Sequence, residues 1–134
     1  MNFVERLNIR FTYNSKELVQ ATMPVVEDVL QPFGYLHGGA TIALLESIAS
    51  QGAILCCEEG EIPFGVDVHI AHRSSMRSGT VSGEARLLRE DRTSKGHRKQ
   101  TWECVARNPE GGVVSEGTII CLIVRKDSLQ AADA

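Results

Sequence analysis

The chain has 134 residues, 43% of them hydrophobic and 23% charged, which is enough for one domain with a substantial core. A net charge of −3 and a sequence pI of about 5.8 exclude the basic footprint of a nucleic-acid binder. Its four cysteines, Cys56, Cys57, Cys104 and Cys121, form no CxxC and have no His at ligand spacing, which argues for buried thiols in a reducing compartment rather than a zinc site.

The first six residues, Met-Asn-Phe-Val-Glu-Arg, are charged and lack the apolar core of a signal peptide, so a cytoplasmic protein is expected. Leu7, Ile9, Phe11 and Tyr13 then alternate with polar residues, as in a half-buried strand. Asn14-Ser15 makes a turn, and Val19, Ala21, Met23 and Val25 alternate again to complete a hairpin. Residues 27–37 read as a loop punctuated by Pro32 and Gly34. From Gly38 the spacing predicts a helix of about five turns ending near Cys57, apolar around most of its circumference and therefore central. Glu58-Glu59-Gly60 is expected to stop it. Thr41, Glu46, Ser47, Ser50 and Gln51 interrupt its hydrophobicity too often for a membrane span.

Four strand-like runs follow. Phe64, Val66, Val68 and Ile70 alternate and His72 continues them; Val81, Gly83, Ala85 and Leu87 form the second. Trp102, Cys104 and Ala106 form the third, closed by the turn Asn108-Pro-Glu-Gly-Gly112. Val113 to Val124 is more continuously apolar, as suits a strand buried on both faces. Arg86, Arg89, Arg92, Lys95, His97, Arg98 and Lys99 crowd one region, either a solvated turn between strands or an anion-binding patch. Residues 126–134 read as a frayed polar tail. The expectation is one α+β domain over residues 1–134, with a curved antiparallel sheet of five or six strands wrapped around one long helix.

One carboxylate, Glu46, stands inside that helix, where burial without a partner would cost its ionised form several kcal/mol. Ser50 lies one turn further on the same face. Gly38-Gly39 opens the helix, and its unpaired N–H groups at the positive end of the dipole could form an oxyanion hole. Gln31 and His37 flank it. Each part also has a plainer reading. Glu46 could pair with an arginine from a neighbouring strand, Ser50 could bond the carbonyl one turn back, and His37 could fix the loop.

Gln31-Pro-Phe-Gly-x-x-His37-Gly38-Gly39 followed by Leu45-Glu46-Ser47-x-x-Ser50 resembles the hotdog-fold acyl-CoA thioesterases. The branch it is most similar to hydrolyses aryl-CoA esters: the phenylacetate-pathway, 4-hydroxybenzoyl-CoA and 1,4-dihydroxy-2-naphthoyl-CoA thioesterases. Gly65-Val-Asp-Val-x-x-x-His72 and Gly96-x-Arg98-x-x-x-Trp102 extend the likeness, which covers most of residues 20–124. The resemblance implies Glu46 as catalytic nucleophile or general base, with the Gly38 N–H polarising the thioester carbonyl. Gln31 would hold that carbonyl and orient the attacking group, and His37 would position the thioester. Gly39 and Ser50 would contact substrate, and His72, Ser74 and Ser75 would line the pantetheine channel. Related enzymes often carry Arg where Ser74 stands. Arg98 and Lys99, near Gly96, would meet the CoA phosphates, joined by Arg89 and Lys95. CoA belongs to the substrate, and neither a cofactor nor a metal is implied. The resemblance further implies a homodimer whose active site spans the subunit interface, in a homotetramer built as a dimer of dimers.

Thioester hydrolysis needs little acid help, because a thiolate leaves readily; it needs a carboxylate and an oxyanion site. A non-catalytic acyl-CoA-binding or regulatory hotdog protein is the rival from another class, but a mere binder has no use for a helix carboxylate. A hotdog dehydratase would want an Asp/His pair at this helix. A metal hydrolase would want His-Glu-x-x-His, whereas His69 and His72 diverge on a strand, with His69 expected at the surface. Tyr35, Phe33 and Met76 are candidates to shape the acyl pocket.

Overall fold

The protein is described from a computed structural model covering residues 1–133, the last four by backbone alone. A short helix α1 (Phe3–Arg6) leads into strands β1 (Arg10–Asn14) and β2 (Leu18–Pro24), and then the long helix α2 (Gly38–Cys56). Strands β3 (Glu61–His72), β4 (Thr80–Arg92), β5 (Arg98–Arg107) and β6 (Val113–Arg125) follow, and helix α3 (Lys126–Asp133) ends the described chain. The six strands form one antiparallel sheet in the order β1-β2-β4-β5-β6-β3, so β3 crosses over to the far edge. One long helix packed on such a sheet is the hotdog architecture that the sequence predicts.

Period-two alternation builds the inner face of the sheet. Val19, Ala21 and Met23 of β2, Val81 and Ala85 of β4, Trp102 and Ala106 of β5, and Ile119 and Cys121 of β6 are fully or almost fully buried. Helix α2 answers with Leu44, Leu45, Ile48, Ala49 and Ala53, none of them exposed. Each large aliphatic side chain removed from water here contributes roughly 1.5–3 kcal/mol. Two glycines bring helix and sheet together. The Trp102 indole lies directly against Gly52 of α2, and a methyl at Gly83 of β4 would fall 2.7 Å from Ile48 Cδ1. Among the described residues, α2 is the helix long and apolar enough to cross a membrane; here one side of it is buried against the sheet.

Several boundaries differ from the expectation. The alternation at Leu7–Tyr13 predicts one strand, but β1 begins only at Arg10. Residues 3–6 form α1 instead, capped by Asn2 Oδ1 accepting from the Glu5 N–H at 2.9 Å. Helix α2 is not covered all round, since a stripe through Ile42, Glu46, Ser50 and Ile54 stays partly open. Its stop is Cys57 in extended conformation, while Gly60, with φ +86°, serves the turn into β3. Lys126–Asp133, expected to fray, is helical, and Ala134 lies outside the described residues. The basic cluster occupies the arms of the long β4–β5 hairpin and its tight turn, where Gly96 has φ +83°.

Candidate active site

Helix α2 carries the candidate groups on two different faces. His37 is its N-cap. The imidazole Nδ1 accepts from the Gly39 N–H at 2.8 Å, while the His37 carbonyl accepts from the N–H groups of Ala40 and Thr41. The plainer role considered for His37, fixing the local chain, is therefore present, with ring Nδ1 as the acceptor. This leaves the Gly38 N–H without a partner among the described residues. That orphan donor faces a small cleft of about 220 Å³ lined by Gln31, Gly38, His72, Ser74 and Ser75. The His72 ring sits on Gly38, so close that a methyl there would fall 2.5 Å from its Nε2. Its other nitrogen, Nδ1, is 2.7 Å from Ser115 Oγ. Gln31 Oε1 accepts from the backbone N–H groups of Phe33 and Tyr35, which ties the side chain to its own loop. Leu36 N–H to Met76 carbonyl (2.7 Å) and the stacking of Arg77 on the Tyr35 ring, 4.6 Å from its centroid, hold that loop in place.

Glu46 lies elsewhere. It lines a groove of about 630 Å³ along the open stripe of α2, together with Gly39 and Ser50. It is the single carboxylate among the groove's lining residues, and no ion pair engages it among the described residues. The arginine-paired alternative is thus not what the structure shows. The carboxylate rests on Gly65 of β3, beside a bulge between Gly65 and Asp67. Cys121 of β6 is the register partner of Gly65. Burial pushes its thiol up to about 11, with Ser50 opposing the rise and Glu46 adding to it, so at neutral pH this is a neutral thiol and not a nucleophile. The serine that bonds one turn back is Ser47, whose Oγ donates to the Ala43 carbonyl at 2.6 Å.

Eight residues separate Gly38 from Glu46, a rise of about 12 Å along the helix. Nucleophile and oxyanion donor must each come within about 3 Å of one reacting carbonyl. A glutamate side chain cannot close that gap, so the Glu46 and Gly38 of one chain serve different sites.

The basic hairpin needs a correction. Arg98, expected at the CoA phosphates, has a side chain only 15% exposed. It donates to Glu61 at 2.7 Å, to Glu90 at 3.0 Å and to the Cys56 carbonyl at 3.1 Å. The hydrogen bond from Arg98 holds the Glu90 carboxyl below its ordinary range. Glu90 also accepts from buried Gln100, which in turn accepts from the Trp102 indole N–H at 3.1 Å. Arg98 therefore clamps the C-terminal end of α2 to the sheet, and its fork is fully committed. Gly96 likewise serves the turn, its carbonyl accepting from Arg92. Lys95 and Lys99 have no ion-pair partner among the described residues, whereas Arg89 pairs with Asp91. His69 is exposed, against Asp67 at 2.9 Å, as its position on the strand predicts.

Of the proposed acyl-pocket residues, Met76 belongs to the core at 7% exposure, and Phe33 projects into solvent at 80%. The residues that share the groove with Glu46 include Phe3, Val4 and Phe11. Sequence reasoning missed Phe3 and Val4 because α1 is a single turn, too short to show a period, and it read Phe11 as a strand residue without placing it beside the helix. No group of three or more His, Cys, Asp or Glu able to hold a metal ion occurs among the described residues.

Residues 33–115 match the model of the Thioesterase superfamily. The chain is 39% identical over 102 residues to the 1,4-dihydroxy-2-naphthoyl-CoA hydrolase of Escherichia coli, covering 76% of this chain and 71% of that one. To the proofreading thioesterase EntH of Klebsiella pneumoniae it is 38% identical over 108 residues, covering 81% and 75%. A solved thioesterase from Haemophilus influenzae superposes with a TM-score of 0.82 at 32% identity, over 91% of this chain and 82% of that one. With the hotdog fold, the capped helix carrying an unpaired carboxylate and these relatives in agreement, the chain belongs to the thioesterase superfamily and is a thioester hydrolase.

Proposed function

We propose that this thioesterase hydrolyses CoA esters, aryl-CoA esters first among them, with Glu46 as nucleophile or general base. The observation that carries the reading is the Glu46 carboxylate, unpaired and alone of its charge in an otherwise mainly apolar groove. The E. coli relative, a 1,4-dihydroxy-2-naphthoyl-CoA hydrolase by name, supports the aryl-CoA class. In the general-base route Glu46 takes a proton from water as its oxygen bonds the acyl carbon. The Gly38 N–H then stabilises the oxyanion, and as the carbon–sulfur bond breaks Glu46 returns its proton to the departing thiolate, releasing CoA thiol and the carboxylic acid. Gln31 orients the attacking group, His37 holds the helix start in position, and Gly39 and Ser50 contact substrate.

Because Glu46 and Gly38 of one chain are too far apart to share a carbonyl, the working unit of the proposal is a homodimer. Glu46 of one protomer meets Gln31, His37 and Gly38 of its partner there, and two dimers pair as a tetramer. The free edge of β3, with Phe64 and Val66 about half exposed beside Gly65, supports such a junction. His72, Ser74 and Ser75 line the cleft assigned to pantetheine, and Lys95 and Lys99 replace Arg98 as the cations offered to the phosphates.

Thiol release from benzoyl-, 4-hydroxybenzoyl-, phenylacetyl-, dihydroxynaphthoyl-, hexanoyl- and palmitoyl-CoA tests this reading. Glu46→Gln should lower kcat by about 10²–10⁴-fold on the best ester. Turnover that survives the substitution would remove Glu46 from the chemistry, and a preference for palmitoyl-CoA would remove the aryl class.

A further inference from the structure

We propose that α1 and the start of β1 roof an acyl-binding groove laid along α2, and that Phe3 and Ile54 select the acyl group it accepts. The inference rests on the reading of Glu46 as the catalytic carboxylate. The groove runs along α2 from Gly39 past Glu46 to Ile54, with Phe3, Val4 and Phe11 opposite. Ile42 and Ala43 complete its apolar floor, and Glu46 is the one charged group in its lining. With no cation among its described lining residues the groove offers nothing to the phosphates of CoA, so the part of a thioester that it suits is the acyl moiety.

Size separates acyl classes. About 630 Å³ lies within the range of pockets that enclose drug-sized ligands, far more than an acetyl group fills. From Glu46 to Ile54 the helix rises by about 12 Å, which gives room for a ring or a chain of several carbons beyond the thioester carbon.

The roof is held by the core on one side and leaves Phe3 free on the other. Asn2 caps α1, Leu7 N–H donates to the Phe3 carbonyl, and Ile9 N–H donates to the Val4 carbonyl at 3.2 Å. Val4, Leu7 and buried Ile9 anchor the turn on the core, and Asn8, in the left-handed region at φ 55°, redirects the chain into β1. Phe3 is left 65% exposed, and across the groove Ile54 is 52% exposed. Two large apolar side chains that folding does not bury therefore face one concavity beside the carboxylate.

Hydrolysis of acetyl-, hexanoyl- and phenylacetyl-CoA is compared for wild type, Phe3→Ala and Ile54→Trp. Calorimetric binding of the non-hydrolysable phenacyl thioether of CoA is measured alongside. Both positions are exposed, so unchanged melting temperatures are expected. Ile54→Trp, which fills the groove, should lower kcat/KM for hexanoyl- and phenylacetyl-CoA by about tenfold or more and weaken the thioether in parallel, with acetyl-CoA little changed. Phe3→Ala should act in the same direction, by about threefold or more. Equal effects on all three esters, or none, would overturn the proposal. Thioether affinity needs no catalysis, so it still reads the groove if Glu46→Gln remains active and the catalytic reading fails.

Discussion

Gly65→Ala places a single methyl group beneath the catalytic candidate. The added carbon would lie 2.5 Å from Glu46 Oε2, 3.0 Å from Cδ and 3.3 Å from Cγ. Ordinary contact begins at 3.4 Å, so Oε2 must retreat by 0.9 Å, the difference between 3.4 and 2.5 Å. The atom that moves is the far end of a flexible side chain, and Gly65 has no positive φ that alanine would strain. Folding therefore tolerates the change, and the lost backbone freedom of the unfolded chain offsets any strain by about 0.4–1 kcal/mol. Catalysis should not tolerate it, because a misplacement of about 1 Å at a reacting group costs on the order of 10²-fold. Steady-state kcat on phenylacetyl-CoA should fall by about that factor while the melting temperature stays within a few degrees. A kcat within about threefold of wild type would refute the placement of Glu46 on Gly65 as functionally meaningful. A fall in melting temperature of more than about 8 °C would attribute the loss to unfolding instead.

Gly52→Ala drives a methyl into the Trp102 indole, and urea titration should show a loss of about 1–3 kcal/mol, as for other overpacked cores. Arg98→Met strands Glu61, whose side chain is 10% exposed, and should cost about 3–5 kcal/mol while leaving KM for CoA esters unchanged; a raised KM at intact stability would restore Arg98 to the phosphates. The same clamp sets an acid limit. With the folded Glu90 carboxyl held below its ordinary 4.5, the stabilisation is present above that value and is lost as pH falls through the depressed one. Arg98→Met should flatten that slope in melting temperatures taken below pH 4.5. Burial pushes Cys104 up to about 12 and Cys121 up to about 11 and also raises the Cys57 thiol, so a thiol reagent on the native protein at mildly alkaline pH should reach Cys56 first, Cys57 more slowly, and neither Cys104 nor Cys121. All four thiols should react in denaturant, and early native labelling of Cys121 would contradict its burial.

The polar residues inside α2 were legible because a carboxylate in an apolar helix has no folding rationale. Glu46 and Ser50 on one face and Gly38-Gly39 at the helix start could be placed from spacing alone, since a helix fixes neighbours three and four residues apart, whereas the capping role of His37 appears only in the fold. Period-two alternation similarly announced five of the strands, but that β3 crosses to the far edge of the sheet shows only in the folded topology. Charge, by contrast, misled. Arg98 stands in a run of cations and reads as an anion site. Its neutralising partners Glu61 and Glu90 lie 37 and 8 residues away and meet it only in the folded sheet.

Local sequence thus determined which residues are chemically out of place, because helix and strand periods are properties of the chain itself. Tertiary structure alone decided which of them can act together. The helix rise puts Glu46 and Gly38 in different cavities of one chain, and the return of residues 2–11 over α2 turns an exposed stripe into a groove. The separation along the helix is itself local, but which cavity each residue opens into and the roofing of the stripe have no local signature, since both depend on contacts between segments tens of residues apart whose energy appears only when the sheet closes on the helix.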